Sequence, residues 1–417
     1  MAARWLLASL ACAWATSVQC VYGQSPLTVD QAVNEAIDHN LALAASRYGV
    51  QVADAAIVTA SLRPNPVLTL SVQRPQATLE TAGVSTQDDV VHGDYLVERG
   101  GKRQGRIEVA QAAKSIAELQ LLDTVRQLRL DVETAFTDVQ EAELNLQLAR
   151  DNLKAFNAVV DVNRERVRAG DLAQVELERS RLAAVQFEND VRQQESKLRT
   201  ARARLSTLLG RGPDGDALQI TGDLRVDTVG LDLDALRTLA LETRPDLVAA
   251  RRDQARTTAD TRLQLANRKI DYTLSAEYHH QEGGGLEGHA VGAFVSFPVP
   301  LFNRNQGEIT RAQVQEQQAA VHTNALSASV ATEVGTAYVA WTTSRDILAS
   351  IQGDMLQQAT DVRSTTEYAY RRGEASFVEF LDAVRAFNET MQSYHAARAD
   401  YARSLFTLEA LAGKVTP

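Results

Sequence analysis

Few residues in this chain have the type and spacing to do chemistry, and for most of them the spacing argues against it. Gly283-Gly284-Gly285-Leu286-Glu287-Gly288 matches a dinucleotide-binding fingerprint by letter. That motif holds phosphate only where it opens a helix whose N-terminus faces the anion. Here an alternating, strand-like run follows, so the stretch reads as a flexible hairpin loop. His279, His280 and His289 flank it, and His92 sits near the corresponding loop of the first half. Imidazoles there could sample a divalent metal, but they show no ligand spacing, and exposed loop residues are the expectation. The only cysteines, Cys12 and Cys20, lie at the extreme N-terminus, leaving the rest of the chain no thiol for a disulfide, a metal or a nucleophile. No HExxH, GxSxG, P-loop or paired-cysteine motif occurs, so neither a catalytic constellation nor a cofactor is expected.

One carboxylate pair is different. In Phe377-Val378-Glu379-Phe380-Leu381-Asp382, Glu379 and Asp382 are three residues apart and share one helix face. The equivalent positions of the first half hold Glu176 and Arg179, so that carboxylate has a cation at hand while the Glu379–Asp382 pair has none in the pattern. Repeated around a symmetric mouth, two such acids would concentrate cations and repel one another. The plain alternative is a solvated helix face.

The element that must carry these residues is a long helix. Apolar or small residues recur at steps of four and three through Leu121, Val125, Leu128, Val132, Ala135, Val139, Ala142, Leu146, Ala149, Leu153, Phe156, Val160, Asn163 and Val167, ending at Gly170. This is the heptad pattern of a supercoiled helix. It recurs through Val330, Val334, Ala337, Trp341, Ser344, Leu348, Ile351, Met355, Gln358, Val362, Thr365 and Ala369, ending at Gly373. The helix from about Gln104 to Val167 would span roughly 96 Å at 1.5 Å per residue, longer than a globular domain.

Each long helix follows the same prelude. In the first copy a helix from Thr28 or Asp30 runs through Val33, Ile37, Leu41 and Val52 and stops before Arg63-Pro64-Asn65-Pro66. Leu68, Leu70 and Val72 then alternate with Thr69, Ser71 and Gln73, a polar loop covers about 78–89, and a weaker strand carries Val91, Gly93, Tyr95 and Val97 opposite His92, Asp94 and Glu98. In the second copy a helix restarts near Leu231. Tyr272–Tyr278 and Val291–Val299 alternate likewise before a long helix begins near Gly307. The chain therefore divides into a leader at 1–24, a first repeat at 25–210, a linker at 211–230 containing Gly212-Pro213, and a second repeat at 231–417. Arg4 followed by the apolar run Trp5–Ala15 marks the leader as a secretory signal peptide. Cys20 would be a lipidation site only if Gln19 replaced the small residue such a site needs, so an unmodified leader cysteine is the expectation. A net charge of −10 argues against a nucleic-acid partner.

Four amphipathic strands of about ten residues fit the lipid-out, water-in alternation of an outer-membrane barrel. They cannot close one, because the smallest barrels need about eight strands and a bilayer tolerates no open edge. Several chains must share a barrel, and three chains supplying twelve strands is the simplest count with a water-filled lumen.

With that architecture, the junctions Val97-Glu98-Arg99-Gly100-Gly101-Lys102-Arg103 and Phe297-Pro298-Val299-Pro300-Leu301-Phe302-Asn303-Arg304-Asn305-Gln306-Gly307 resemble those of the TolC family of outer-membrane efflux proteins, in its heavy-metal, CzcC/CusC-like branch. The resemblance spans essentially the whole chain after the leader. It implies a mainly α fold with a small membrane β part: a homotrimeric α-helical barrel joined to a shared twelve-stranded barrel in the outer membrane of a Gram-negative bacterium, with its helices in the periplasm. It implies no enzyme activity. The expected role is the exit duct of a tripartite proton-driven RND system for divalent cations such as cobalt, zinc, cadmium or nickel, with a periplasmic adaptor and an inner-membrane RND pump as partners and outer-membrane lipid around the strands. By the same resemblance Glu379 and Asp382 line the periplasmic mouth. Adaptor docking falls on the helix tips Arg168, Gly170, Asp171 and Leu172, and Arg372, Gly373, Glu374 and Ala375. The glycines there supply the positive φ of a tight helix–helix turn. The same fold could export drugs or organic solvents. A periplasmic adaptor or a coiled-coil scaffold would share the helices but would not need the strand pairs.

Overall fold

The computed structural model describes residues 26–73, 86–212, 218–227, 230–283 and 286–413. The expected signal peptide with both cysteines, residues 78–85 of the expected polar loop, Gly284 and Gly285, and parts of the expected linker lie outside them.

The chain runs α1 (Val29–His39), α2 (Leu41–Ser61), β1 (Val67–Gln73), β2 (Thr86–Val97), α3 (Lys102–Ala169) and α4 (Gln174–Leu208). It then repeats the order with α5 (Leu233–Thr243), α6 (Pro245–Asn267), β3 (Tyr272–Gly283), β4 (Leu286–Ser296), α7 (Gln306–Ser350), a π-helical turn (Ile351–Met355), α8 (Leu356–Arg372) and α9 (Phe377–Leu411). The fold is mainly helical with one small sheet.

Each opening helix is two helices. Thr28 forms a capping box with Gln31 and starts α1, but Asn40 takes an extended ψ of 124° and ends it. Its side-chain oxygen accepts from the Leu43 N–H at 3.1 Å, capping α2, while its amide donates to the Leu208 carbonyl at 3.0 Å. In the second copy Arg244 is held extended because Pro245 follows it. An apolar row can continue across such a break, so periodicity alone suggested one helix.

The four strands form one antiparallel sheet in the order β1-β2-β3-β4. One face carries Leu68, Leu70, Val72, Val91, Leu274, Tyr278, Val291 and Val295, and all of these are exposed. The opposite face carries Thr69, Ser71, His92, Asp94, Ser275, Glu277 and His279. The sheet is longer than the sequence suggested toward the hairpin ends and shorter at the other. Asp88 and Asp89, expected in a loop, pair with Gln281 and His280. His279, His280 and His289 are likewise strand residues, and β3 continues through Gly283. Inter-strand pairing across β2 and β3 carries these polar residues as strand where their composition read as loop. β4 ends at Ser296, before Pro298, so Phe297 and Val299 lie beyond it.

α3 is 68 residues long, about 102 Å, with β2 leading into one end and Gly170 closing the other. Its predicted seam is inside: Leu128, Val132, Ala135, Val139, Ala142, Leu146, Ala149, Phe156, Val160 and Asn163 are buried. The seam packs in part against α1 and α4, through Ala32, Val33, Ala36 and Leu205. The second copy repeats this with Leu236 and Ala240 against Val330, Val334, Trp341, Leu405 and Leu408.

Beyond Ile351 the second seam departs from its predicted residues. Met355 and Val362 are about half exposed, at 48% and 53%, and Gln358 and Thr365 are exposed as well. The inward row is instead Leu356, Ala359, Arg363, Thr366 and Tyr370, each one position later. A π-helical turn accommodates one extra residue without breaking the helix, and the turn at Ile351–Met355 shifts everything after it by one.

The two halves meet where β2 pairs with β3, where α3 lies against α6, and between α3 and α9, where polar groups pair. Arg403 pairs with Asp138 at 2.9 Å and with Glu141. The His395 Nδ1 lies 2.9 Å from Asn145 Oδ1, and the Asn152 amide donates to Asn388 at 2.6 Å.

Candidate functional site

The far end of the molecule is built from two helix–helix turns. At the first, Gly170 has φ +83°. Its N–H donates to Val167 at 3.1 Å and the Asp171 N–H to Arg166 at 2.8 Å, which satisfies carbonyls left open by the end of α3. At the second, Gly373 has φ +81°, and its N–H and that of Glu374 donate to Tyr370 and Ala369 at 3.0 and 2.9 Å. The fold brings the two turns together: a Cβ added at Gly373 would lie 3.5 Å from an Arg166 guanidinium nitrogen. Arg168, Asp171, Arg372 and Glu374 are exposed, Leu172 and Ala375 half-buried. Arg168 pairs with Glu165 at 2.7 Å, and Arg372 sits over the Tyr368 ring at 4.8 Å.

Beneath the turns lies a cluster absent from the sequence-based site. Phe156 on α3 touches Phe187 on α4 and Phe377 and Phe380 on α9, with ring centroids 4.8, 6.2 and 6.2 Å away. The Tyr370 ring stacks on Phe380 at 5.1 Å, and its hydroxyl donates to Asn163 Oδ1 at 2.9 Å. Asn163 occupies a seam position where a heptad expects an apolar residue, and its side-chain nitrogen is buried with no partner among the described residues. The signals were a polar residue in an apolar row and Phe377 and Phe380 three apart beside the proposed mouth.

The Glu379–Asp382 pair is not free of partners, contrary to the expectation. Glu379 is the third residue of α9 and closes a capping box. The Ser376 N–H and hydroxyl both donate to its Oε2, at 2.7 and 2.9 Å. Those hydrogen bonds, the backbone one foremost, hold the Glu379 carboxyl below its ordinary range, so it stays charged at neutral pH. Asp382 stands 3.9 Å from Arg385 and is 68% exposed. At that distance and exposure the pairing is weak, and both acids remain open to water. The first copy has the tighter Glu176–Arg179 pair, at 2.9 Å.

Among the described residues no group of three metal-ligating side chains forms a metal site, and no helix is long and apolar enough to cross a membrane.

A duplicated hairpin of very long helices, topped by a four-stranded sheet whose apolar face is bare, defines a channel-forming class of protein. The chain belongs to the outer membrane efflux protein family, whose sequence profile matches residues 32–211 and again 236–414. It is 23% identical over 389 residues to the cobalt-zinc-cadmium resistance protein CzcC of Cupriavidus metallidurans, covering 93% of this chain and 90% of that protein. Among solved structures it superposes on the outer-membrane channel OprN with a TM-score of 0.76 at 20% identity, covering 92% of this chain and 89% of that one. It superposes on the channel CusC with a TM-score of 0.74 at 18% identity, covering 92% of both. CzcC and CusC are the proteins whose branch the junction sequences resemble. The family consists of channels rather than enzymes.

Proposed function

We propose that this protein is the outer-membrane exit duct of a tripartite proton-driven RND system exporting divalent heavy-metal cations such as cobalt, zinc, cadmium or nickel. The observation that carries the reading is the sheet: its apolar face is fully available to lipid, its other face is polar, and α3 extends about 102 Å beyond it. β1 and β4 leave open edges that a bilayer does not tolerate. Three copies joined edge to edge give a closed twelve-stranded barrel, with the helices reaching through the periplasm. The paired turns at Gly170 and Gly373 are then the periplasmic tips that meet the adaptor, which links the duct to the inner-membrane pump. The name of CzcC and the two junction sequences support the metal cargo.

The test is fractionation followed by loss of function. A trimer extracted from outer membranes, together with a deletion strain that accumulates and is poisoned by one of these cations, is the expected result. A soluble periplasmic monomer would overturn the duct, and unchanged tolerance to all four metals would overturn the cargo.

In this reading Glu379 and Asp382 form a charged ring at the mouth, six carboxylates in three copies. The double variant E379Q/D382N is expected to lower the cation-to-anion permeability ratio of single channels by at least about twofold. Glutamine preserves the capping box, so helix α9 should stay intact. Unchanged selectivity would remove both residues from the permeation path.

A further inference from the structure

We propose that the polar face of β2 and β3 carries a second charge-selective belt, made by Asp88, His92, Asp94, Glu277 and His279, whose preference for cations rises with pH. The inference rests on the channel reading, in which this face lines the barrel lumen.

The register places these side chains in one connected line. Glu277 stands directly opposite His92, and Ser275 opposite Asp94. The two oxygens of Glu277 reach in opposite directions: Oε2 lies 3.3 Å from His92 Nδ1 and Oε1 lies 3.0 Å from His279 Nε2. The far nitrogen of each imidazole meets another acid, His92 Nε2 at 3.0 Å from Asp94 and His279 Nδ1 at 3.2 Å from Asp88. The sequence acid–imidazole–acid–imidazole–acid thus crosses both strands without a gap. Gly292 on β4 leaves it room, since a Cβ there would lie 2.9 Å from the Glu277 Cγ.

Among the described residues, no opposing charge dilutes the belt from the strands on either side. β1 sets Thr69 and Ser71 beside His92 and Val90, and β4 sets Ala290 and Gly292 beside His279 and Glu277. Neither strand brings a titratable or cationic group to this face. The five side chains are between 22% and 32% exposed, open enough for their charge to be felt by passing ions. His280 and His289 belong to the opposite face and stack on each other at 5.0 Å, outside the belt.

Histidine changes charge within the range of about pH 5 to 8. Three carboxylates and two imidazoles give each copy a formal charge of −3 with both rings neutral and −1 with both protonated. Rings of carboxylates in a narrow pore select cations, and low-dielectric walls concentrate their field. Protonation of the histidines therefore weakens cation selectivity, and deprotonation strengthens it.

The test is the reversal potential of the full-length channel in a planar bilayer under a salt gradient, at about pH 5.5 and pH 8, on either side of the histidine range. For the wild type, the cation-to-anion permeability ratio is expected to rise by roughly threefold from the acid to the alkaline condition, in line with the formal charge. H92Q/H279Q is expected to hold the high ratio at both, each single variant to keep about half of the pH swing, and E277Q to lower the ratio at pH 8. If H92Q/H279Q and both single variants show the wild-type swing, the belt is overturned while the channel stands. A wild-type trimer that conducts nothing overturns the channel reading and the belt with it.

Discussion

Phe156→Ala is expected to loosen both helix tips at once, at a cost of about 3–5 kcal/mol to the packing there. The ring is 2% exposed and sits where α3, α4 and α9 converge, in contact with Phe187, Phe377 and Phe380. Removing it leaves a cavity that long helices cannot close by collapse, because each is held along its length by other contacts. The change should stay local. Amide exchange of residues near 153–187 and 370–384 is expected to accelerate by orders of magnitude, while amides around Trp341, in a separate cluster, keep wild-type protection. Phe156→Leu should recover most of the loss. If the tips of Phe156→Ala exchange as slowly as wild type, the aromatic cluster is not what joins the two hairpins.

The second large effect is expected at Gly210. Its φ is +76°, and a Cβ built there would lie 2.5 Å from the carbonyl oxygen of His39. The end of α4 is pressed onto the break between α1 and α2, which Asn40 also ties to Leu208. Gly210→Val therefore combines about 1–3 kcal/mol of backbone strain for a β-branched residue at positive φ with a backbone displacement at a fixed junction. We expect thermal unfolding well below the wild-type temperature. Gly170→Val supplies the comparison: φ there is +83°, but nothing lies within 4 Å of the added Cβ. It should show only the strain term, and equal melting temperatures for the two variants would discount the close approach.

The duplication, the long helices and the strand faces were legible because each depends on periodicity. A seam every three and four residues and an alternation every two are local properties, set by 3.6 residues per helical turn and two per strand repeat. The residues that answered poorly were those whose state depends on a distant partner. Asp88, Asp89 and His279–His280 look like loop residues, and become strand because β2 and β3 pair across nearly two hundred residues of intervening chain. The partners of Glu379 are three residues away, at Ser376. Its capping box is therefore readable from the spacing of Ser376 and Glu379. Tyr370 and Asn163 could not have been paired from sequence, since 207 residues separate them.

The spacing of the two copies marks where local reading ends. Ala337 follows Ala135 by 202 residues, and Gly373 follows Gly170 by 203. The sequence by itself determined that the second copy has one residue more than the first between this alanine and the closing glycine, as well as the tips, the seam up to Ile351 and the polar and apolar faces of the strands. Only the tertiary structure decided where the extra residue goes. It enters the π-helical turn at Ile351–Met355, after which the inward row is the one that corresponds to Leu153, Phe156, Val160, Asn163 and Val167. Leu356, Ala359 and Tyr370 turn inward in place of Met355, Gln358 and Ala369. An uninterrupted heptad and one shifted by a residue look almost alike along the chain. The choice between them falls to packing, because Tyr370 must reach Asn163 and the rings beneath the tips.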